Sequence, residues 1–183
     1  DSNSGVAYVE GFTFARGKLD NASGNTGPVD VNSPVHMKNC VITKCRSWRT
    51  GAVKVNYLSG STLFEDVVVE GNMQMDTISS NRGGGFDIHD GNNVVLRRCT
   101  IQNNFSQRSD GGDIIGGAIY SYADSLQLEE CVISSNTIIH TSESTSYIYK
   151  ALGSAIYSVY PFHMDNTIIC GNIGIWNNGA QGT

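Results

Sequence analysis

Seven side chains have the types that acid–base chemistry needs: Lys54, Asp87, His89, Asp90, Asp113, His140 and Lys150. Acid–base cleavage of a bond calls for paired carboxylates, or a carboxylate beside a basic group, within reach of it. Asp90-Gly91 is an ordinary turn dipeptide, which removes Asp90 from that set. Five cysteines (Cys40, Cys45, Cys99, Cys131 and Cys170) and four histidines could in principle bind metal, but their spacings match no zinc pattern. No catalytic residue is assigned, and no metal or cofactor is expected.

A second set is conspicuous for its regularity. Asn72, Asn104, Asn136 and Asn172 recur at intervals of roughly one repeat, with Cys45 and Gly17 before them in the same column. Stacked carboxamides can hydrogen-bond along a column and satisfy backbone groups at a corner, so the reading is a structural ladder. Two N-x-S/T sequons are present. Asn21 lies in an expected surface loop and is a candidate glycosylation site, whereas Asn104 belongs to the inward ladder and is expected to stay unmodified.

The elements that position these residues follow from the stretch 116–136. Leu126, Leu128, Cys131 and Ile133 alternate with Gln127 and Val132, a period of two that survives only if the chain bends at Glu129-Glu130. The Cys131 position recurs as Phe12, Cys40, Val67, Cys99, Cys131 and Thr167. Two residues on stand Phe14, Ile42, Val69, Ile101, Ile133 and Ile169. Each unit opens on another short strand, read at Val29, Val53, Phe86, Ile119, Ile156 and Ile175. Repeats of this kind, without a helical period, predict an all-β solenoid of about six coils and three parallel sheets, as one domain over residues 1–183. The segments 73–83, 105–116 and 137–153 read as long connections inserted at one corner. Cys40, Cys99 and Cys131 fall at one inward register, as small buried hydrophobes, although Cys99 and Cys131 on adjacent coils are close enough to bridge.

Gly116-Gly-Ala-Ile119 followed by Ile133-x-x-Asn136, and Ile169-Cys-Gly-Asn172, resemble the GGA[IV]…FxxN repeat of polymorphic outer-membrane proteins. The whole chain resembles the right-handed parallel β-helix superfold typified by pectate lyases. Isoleucine or valine replaces the usual phenylalanine. The resemblance implies a right-handed β-helix at a cell surface. In relatives that cleave acidic polysaccharides, catalysis occurs on the face of the opening sheet. None of the Asp-Asp, Gly-His-Gly or Arg-x-Lys signatures of the pectin-cleaving relatives is found here.

Between the inward residues of the opening strands, Asp30, Lys54, Asp87, Tyr120, Tyr157 and Trp176 are expected to point outward. The charged members should pair across strands, and the aromatic ones form a row that could carry a sugar ring or a partner. Net charge is −5 with no basic cluster, so nucleic acid is a poor partner. No apolar stretch approaches the roughly 20 residues of a membrane-spanning helix. No capping helix is evident before Ala7 or after Trp176. The leading expectation is therefore an extracellular fibre or surface-layer subunit that polymerises head to tail. Its contacts would lie at Ala7, Val9, Phe12 and Phe14 on one face and Ile169 and Ile175 on the other. The alternatives are an adhesin segment binding cell-surface glycans and, last, a polysaccharide lyase or hydrolase.

Overall fold

A computed structural model describes residues 5–19, 27–56, 60–76, 81–89, 92–109, 112–141 and 151–176. All regular elements among them are short strands, every pair is parallel, and the chain winds as a β-solenoid. Among the described residues no helix is long and apolar enough to cross a membrane.

Five sheets run along the solenoid. Sheet A stacks Ala7–Glu10, Val35–Lys38, Gly60–Glu65, Asn92–Arg97, Ser125–Glu129 and His163–Asp165. Sheet B follows it with Thr13–Ala15, Val41–Thr43, Val68–Glu70, Thr100–Gln102, Val132–Ser134 and Ile168–Cys170. Sheet C comprises Arg46–Ser47, Met73–Asp76, Phe105–Arg108, Thr137–His140 and Ile173–Trp176. The three-stranded sheet E holds Asn81–Arg82, Ile114–Ile115 and Ala151–Leu152. Sheet D, the opening sheet of each unit, holds Val29–Val31, Val53–Val55, Phe86–Ile88, Ile119–Ser121 and Ile156–Ser158.

Alternation in sheets A and B builds the apolar core. Leu126 and Leu128 are buried while Gln127 between them is not, and Ile42, Val69, Ile101 and Ile133 stack fully buried in sheet B. Phe64 of sheet A meets Phe86 of sheet D edge-on, with ring centroids 5.1 Å apart. The bend at Glu130 takes a left-handed backbone, φ 55°, repeated coil by coil at Asn39, Asp66, Arg98 and Asn166. Ser135 does the same before the Asn136 corner. None of these residues is glycine, so the stacked sheets on either side must hold them there.

The Gly-Gly-Ala motif has a steric cause. Gly116 turns into sheet D with φ 74°, and a Cβ on Gly117 would collide with the carbonyl of Ser154 one coil on. At that equivalent position the final described coil carries a side chain, Ser154. The constraint therefore comes from the neighbouring coil and not from the turn.

Two expectations about the architecture need correction. The described residues form five sheets, not three, because segments 73–83, 105–116 and 137–153 contain the strands of sheet E and most of those of sheet C. Their inward positions carry Gln74, Ser106 and Arg108 as well as Ile138, all buried, so hydrophobic alternation is missing from the sequence. About six coils also overstates the count. Sheets A and B are each visited six times, but the described residues make a solenoid of about four turns, since the coils at either end of them are partial.

Candidate functional site

The asparagine column forms a continuous ladder at the corner between sheets B and C. Nδ2 of Asn72 donates to Oδ1 of Asn104 at 2.9 Å, Asn104 to Asn136 at 2.9 Å, and Asn136 to Asn172 at 2.9 Å. The same amides donate to carbonyls of the preceding coil, at Ile42, Val69, Ile101 and Ile133. Each Oδ1 also accepts a backbone N–H: Asn72 Oδ1 from Cys45, Asn104 Oδ1 from Asn72, Asn136 Oδ1 from Asn104, and Asn172 Oδ1 from Asn136. Asn104 is buried, with its amide donating to both Val69 and Asn136. Asn21 lies outside the described residues.

The inward cysteines form a weaker ladder of the same kind. The thiols of Cys40, Cys99 and Cys131 each donate to the carbonyl two residues earlier, at Lys38, Arg97 and Glu129. All five cysteines are free thiols, and only Cys170 is exposed. Hydrogen bonding with the Cys131 thiol, together with burial, holds the Cys99 thiol well above the usual range.

On the outer face of sheet D, Asp30, Lys54, Asp87, Tyr120 and Tyr157 occur in one row, as the strand registers require. Tyr120 and Tyr157 stack with planes 2° apart and centroids 5.9 Å apart, and Arg82 lies over the Tyr120 ring at 5.1 Å. His89 Nε2 sits 3.4 Å from Asp87 Oδ2. The row is nevertheless not an open platform: Lys54, Asp87 and Tyr120 are all buried. Burial raises the Tyr120 hydroxyl above its ordinary range.

Trp176 does not belong to this row. Ile173–Trp176 pairs with Thr137–His140 in sheet C, so Ile175 stands beside Ile139 and Trp176 beside His140. The sequence register went astray here because Ile175-Trp176 imitates the Ile119-Tyr120 pair that opens a coil. Of the other acid–base candidates, His140 is buried with Nε2 2.8 Å from the Gly112 carbonyl, in the polar side of the interior, away from Asp87 in the sheet order. Asp90 and Lys150 lie outside the described residues. Among the described residues no group of three or more His, Cys, Asp or Glu could hold a metal ion.

The end coils contrast sharply with the middle. Met164 and Ile169 occupy the columns of Leu128 and Ile133, yet they are 47% and 42% exposed where their neighbours are 0%. Ile168, Ile173 and Ile175 are exposed beside them. At the opposite end Ala7, Tyr8 and Phe12 are exposed and Val9 and Phe14 half-buried, around a cavity of about 310 Å³ lined by Val9, Phe14, Val29, Val31, Val35 and Met37.

Comparison with protein-family models, curated proteins and solved structures found no match.

Proposed function

We propose that this chain is a stacking unit of an extracellular fibre or surface layer, in which the last coil of one copy is continued by the first coil of the next. The carrying observation is the exposure of inward apolar side chains at both ends, Met164 and Ile169 at one and Val9 and Phe14 at the other. Water solvates free strand edges but not this apolar disc, and in sheets A and B a second solenoid covers both at once.

The hydrogen-bond columns support the same geometry. Corner N–H groups donate toward the following coil, from Gly11 to Lys38, Asn39 to Glu65, Asp66 to Arg97, Arg98 to Glu129 and Glu130 to Asp165. The next donor in that column is Asn166, and the acceptor at the equivalent place in a second copy is the Glu10 carbonyl. Stacking in register also sets Met164 on Val9 and Ile169 on Phe14. The contact is heterologous and does not close, so it generates a filament. The low charge content and the stretch Gly116-Gly-Ala-Ile119 with Ile133-x-x-Asn136, which resembles the repeat of polymorphic outer-membrane proteins, support placing such a unit outside the cell.

The test is the particle size at high protein concentration, by sedimentation and electron microscopy, for the parent and for a Tyr8→Pro/Phe12→Lys variant. Ala7 and Gly11 turn their N–H groups toward the next strand of their own chain, which leaves the Tyr8 N–H on the outer edge. Proline there therefore blocks the free edge alone. Concentration-dependent rods from the parent and single particles from the variant are expected. A parent that stays monomeric at every concentration and salt would overturn the reading.

A further inference from the structure

The outer face of sheet A carries one charged column that runs the length of the solenoid. In register it reads Glu10, Lys38, Glu65, Arg97, Glu129 and Asp165. The sign alternates at every step but the last. Lys38 Nζ lies 3.0 Å from Glu65, and Arg97 Nε lies 2.6 Å from Glu129, so the alternation is realised as ion pairs. Only Glu129 and Asp165 are like charges, and they fall between the last two strands of the sheet.

The neighbouring columns raise no such conflict. The other outward column of sheet A reads Tyr8, His36, Leu63, Val95, Gln127 and His163. A second copy would set Tyr8 against His163, the residue pair that Tyr8 and His36 already make with ring centroids 5.6 Å apart. In the charged column the same register sets Glu10 of the second copy against Asp165, which already faces Glu129. Among the described residues no Lys or Arg forms an ion pair with Asp165. Glu130 is the adjacent corner residue in the preceding coil, its backbone N–H bound to the Asp165 carbonyl. His163 is two residues back on the same strand, and Arg97 is engaged by Glu129. Glu10 has Lys38 beside it in register and accepts from Asn39 Nδ2 at 3.1 Å.

We infer that Asp165 is an electrostatic gate on end-to-end stacking: a run of three carboxylates across the junction opposes association with a second copy, and screening relieves it. The inference rests on the stacking reading above and specifies its regulation. Like charges directly opposite on parallel strands oppose pairing, and all three side chains are at least partly exposed, so added salt weakens the repulsion. Asp165→Lys would make the column alternate without interruption through the junction.

The experiment measures the association constant by sedimentation at low and high sodium chloride for the parent, Asp165→Asn and Asp165→Lys. The parent is expected to associate more tightly as salt rises. At low salt the order should be lysine, then asparagine, then parent, with lysine about tenfold tighter than parent. The salt response of Asp165→Lys should be reversed in sign, because there salt screens an attraction. Association of equal strength in all three proteins at both salt levels, abolished by Tyr8→Pro/Phe12→Lys, overturns the gate and leaves stacking intact. No association in any protein at either salt level overturns both.

Discussion

Within a single coil the two sides of the interior are built from opposite materials. Beneath sheets A and B lie Leu96, Leu128, Ile101 and Ile133, each fully buried and packed in columns. Beneath sheet C the corresponding positions hold Ser47, Gln74 and Ser106, with Arg108, Asn81 and His140 close by, and these are just as deeply buried. The polar side is held by specific bonds. Ser106 Oγ donates to Gln74 Oε1 at 2.6 Å, Gln74 Nε2 to the Arg82 carbonyl at 3.4 Å, and Asn81 Nδ2 to the Gln107 carbonyl at 2.9 Å. Equal burial thus does not mean equal energetics. The apolar side gains from area removed from water, while the polar side gains little net from bonds that are costly only when broken.

The largest expected effect lies on the apolar side. Leu128→Ala opens a cavity between two coils that cannot collapse without disturbing sheet hydrogen bonds, and should destabilise by about 2–5 kcal/mol. Asn136→Ala, at the seam between the two sides, removes the acceptor for two N–H groups of Asn104 and the donor to the Ile101 carbonyl. About 1–3 kcal/mol is expected, read from denaturant midpoints, and an unchanged midpoint would show that the column is not an energetic ladder. Ser106→Ala removes one neutral bond from the polar side and should cost about 1 kcal/mol. Should Ser106→Ala rival Leu128→Ala, the two sides would not differ in the way proposed here.

The same contrast explains what could be read from the sequence. Sheets A and B announce themselves because Leu126-Gln-Leu128 and Val132-Ile133 alternate apolar with less buried positions, and the bends between them fall where the phase must change. The asparagine corner is equally plain, since one residue type recurs at one register. Sheet C is not, because Phe105-Ser-Gln-Arg108 places Ser106 and Arg108 inward, and a hydrophobic pattern is blind to a buried serine or arginine. A pattern without sheet C leaves Ile173–Trp176 only the opening sheet to join, which places Trp176 in the aromatic row, whereas the strand pairs with Thr137–His140. The burial of Lys54, Asp87 and Tyr120 was beyond reach for a different reason. Strand alternation tells inside from outside but not what lies over the outside.

The smallest expected effect sharpens the comparison from outside the coil, where charge meets solvent. Glu65 on sheet A accepts from Lys38 Nζ at 3.0 Å and Arg98 Nη2 at 2.7 Å, and His36 Nε2 is 3.4 Å away. Hydrogen bonds from Lys38 and Arg98, working against partial desolvation, lower its carboxyl from 4.5 to about 2. Because the folded value lies below the unfolded one, the carboxylate stabilises the fold at pH above about 4.5, and that contribution fades as the pH falls toward 2. Glu65→Gln keeps the shape and removes the titration. Its unfolding temperature should lie below the parent's at neutral pH, by a small margin since exposed ion pairs contribute modestly, and the two should converge as the pH approaches 2. Ser106→Ala, which involves no ionising group, should show a deficit that stays constant over the same range. A Glu65→Gln deficit equally flat with pH would mean that Lys38 and Arg98 bind this side chain through its shape and not its charge. The charged column of sheet A would then be no more sensitive to ionisation than the polar interior behind sheet C.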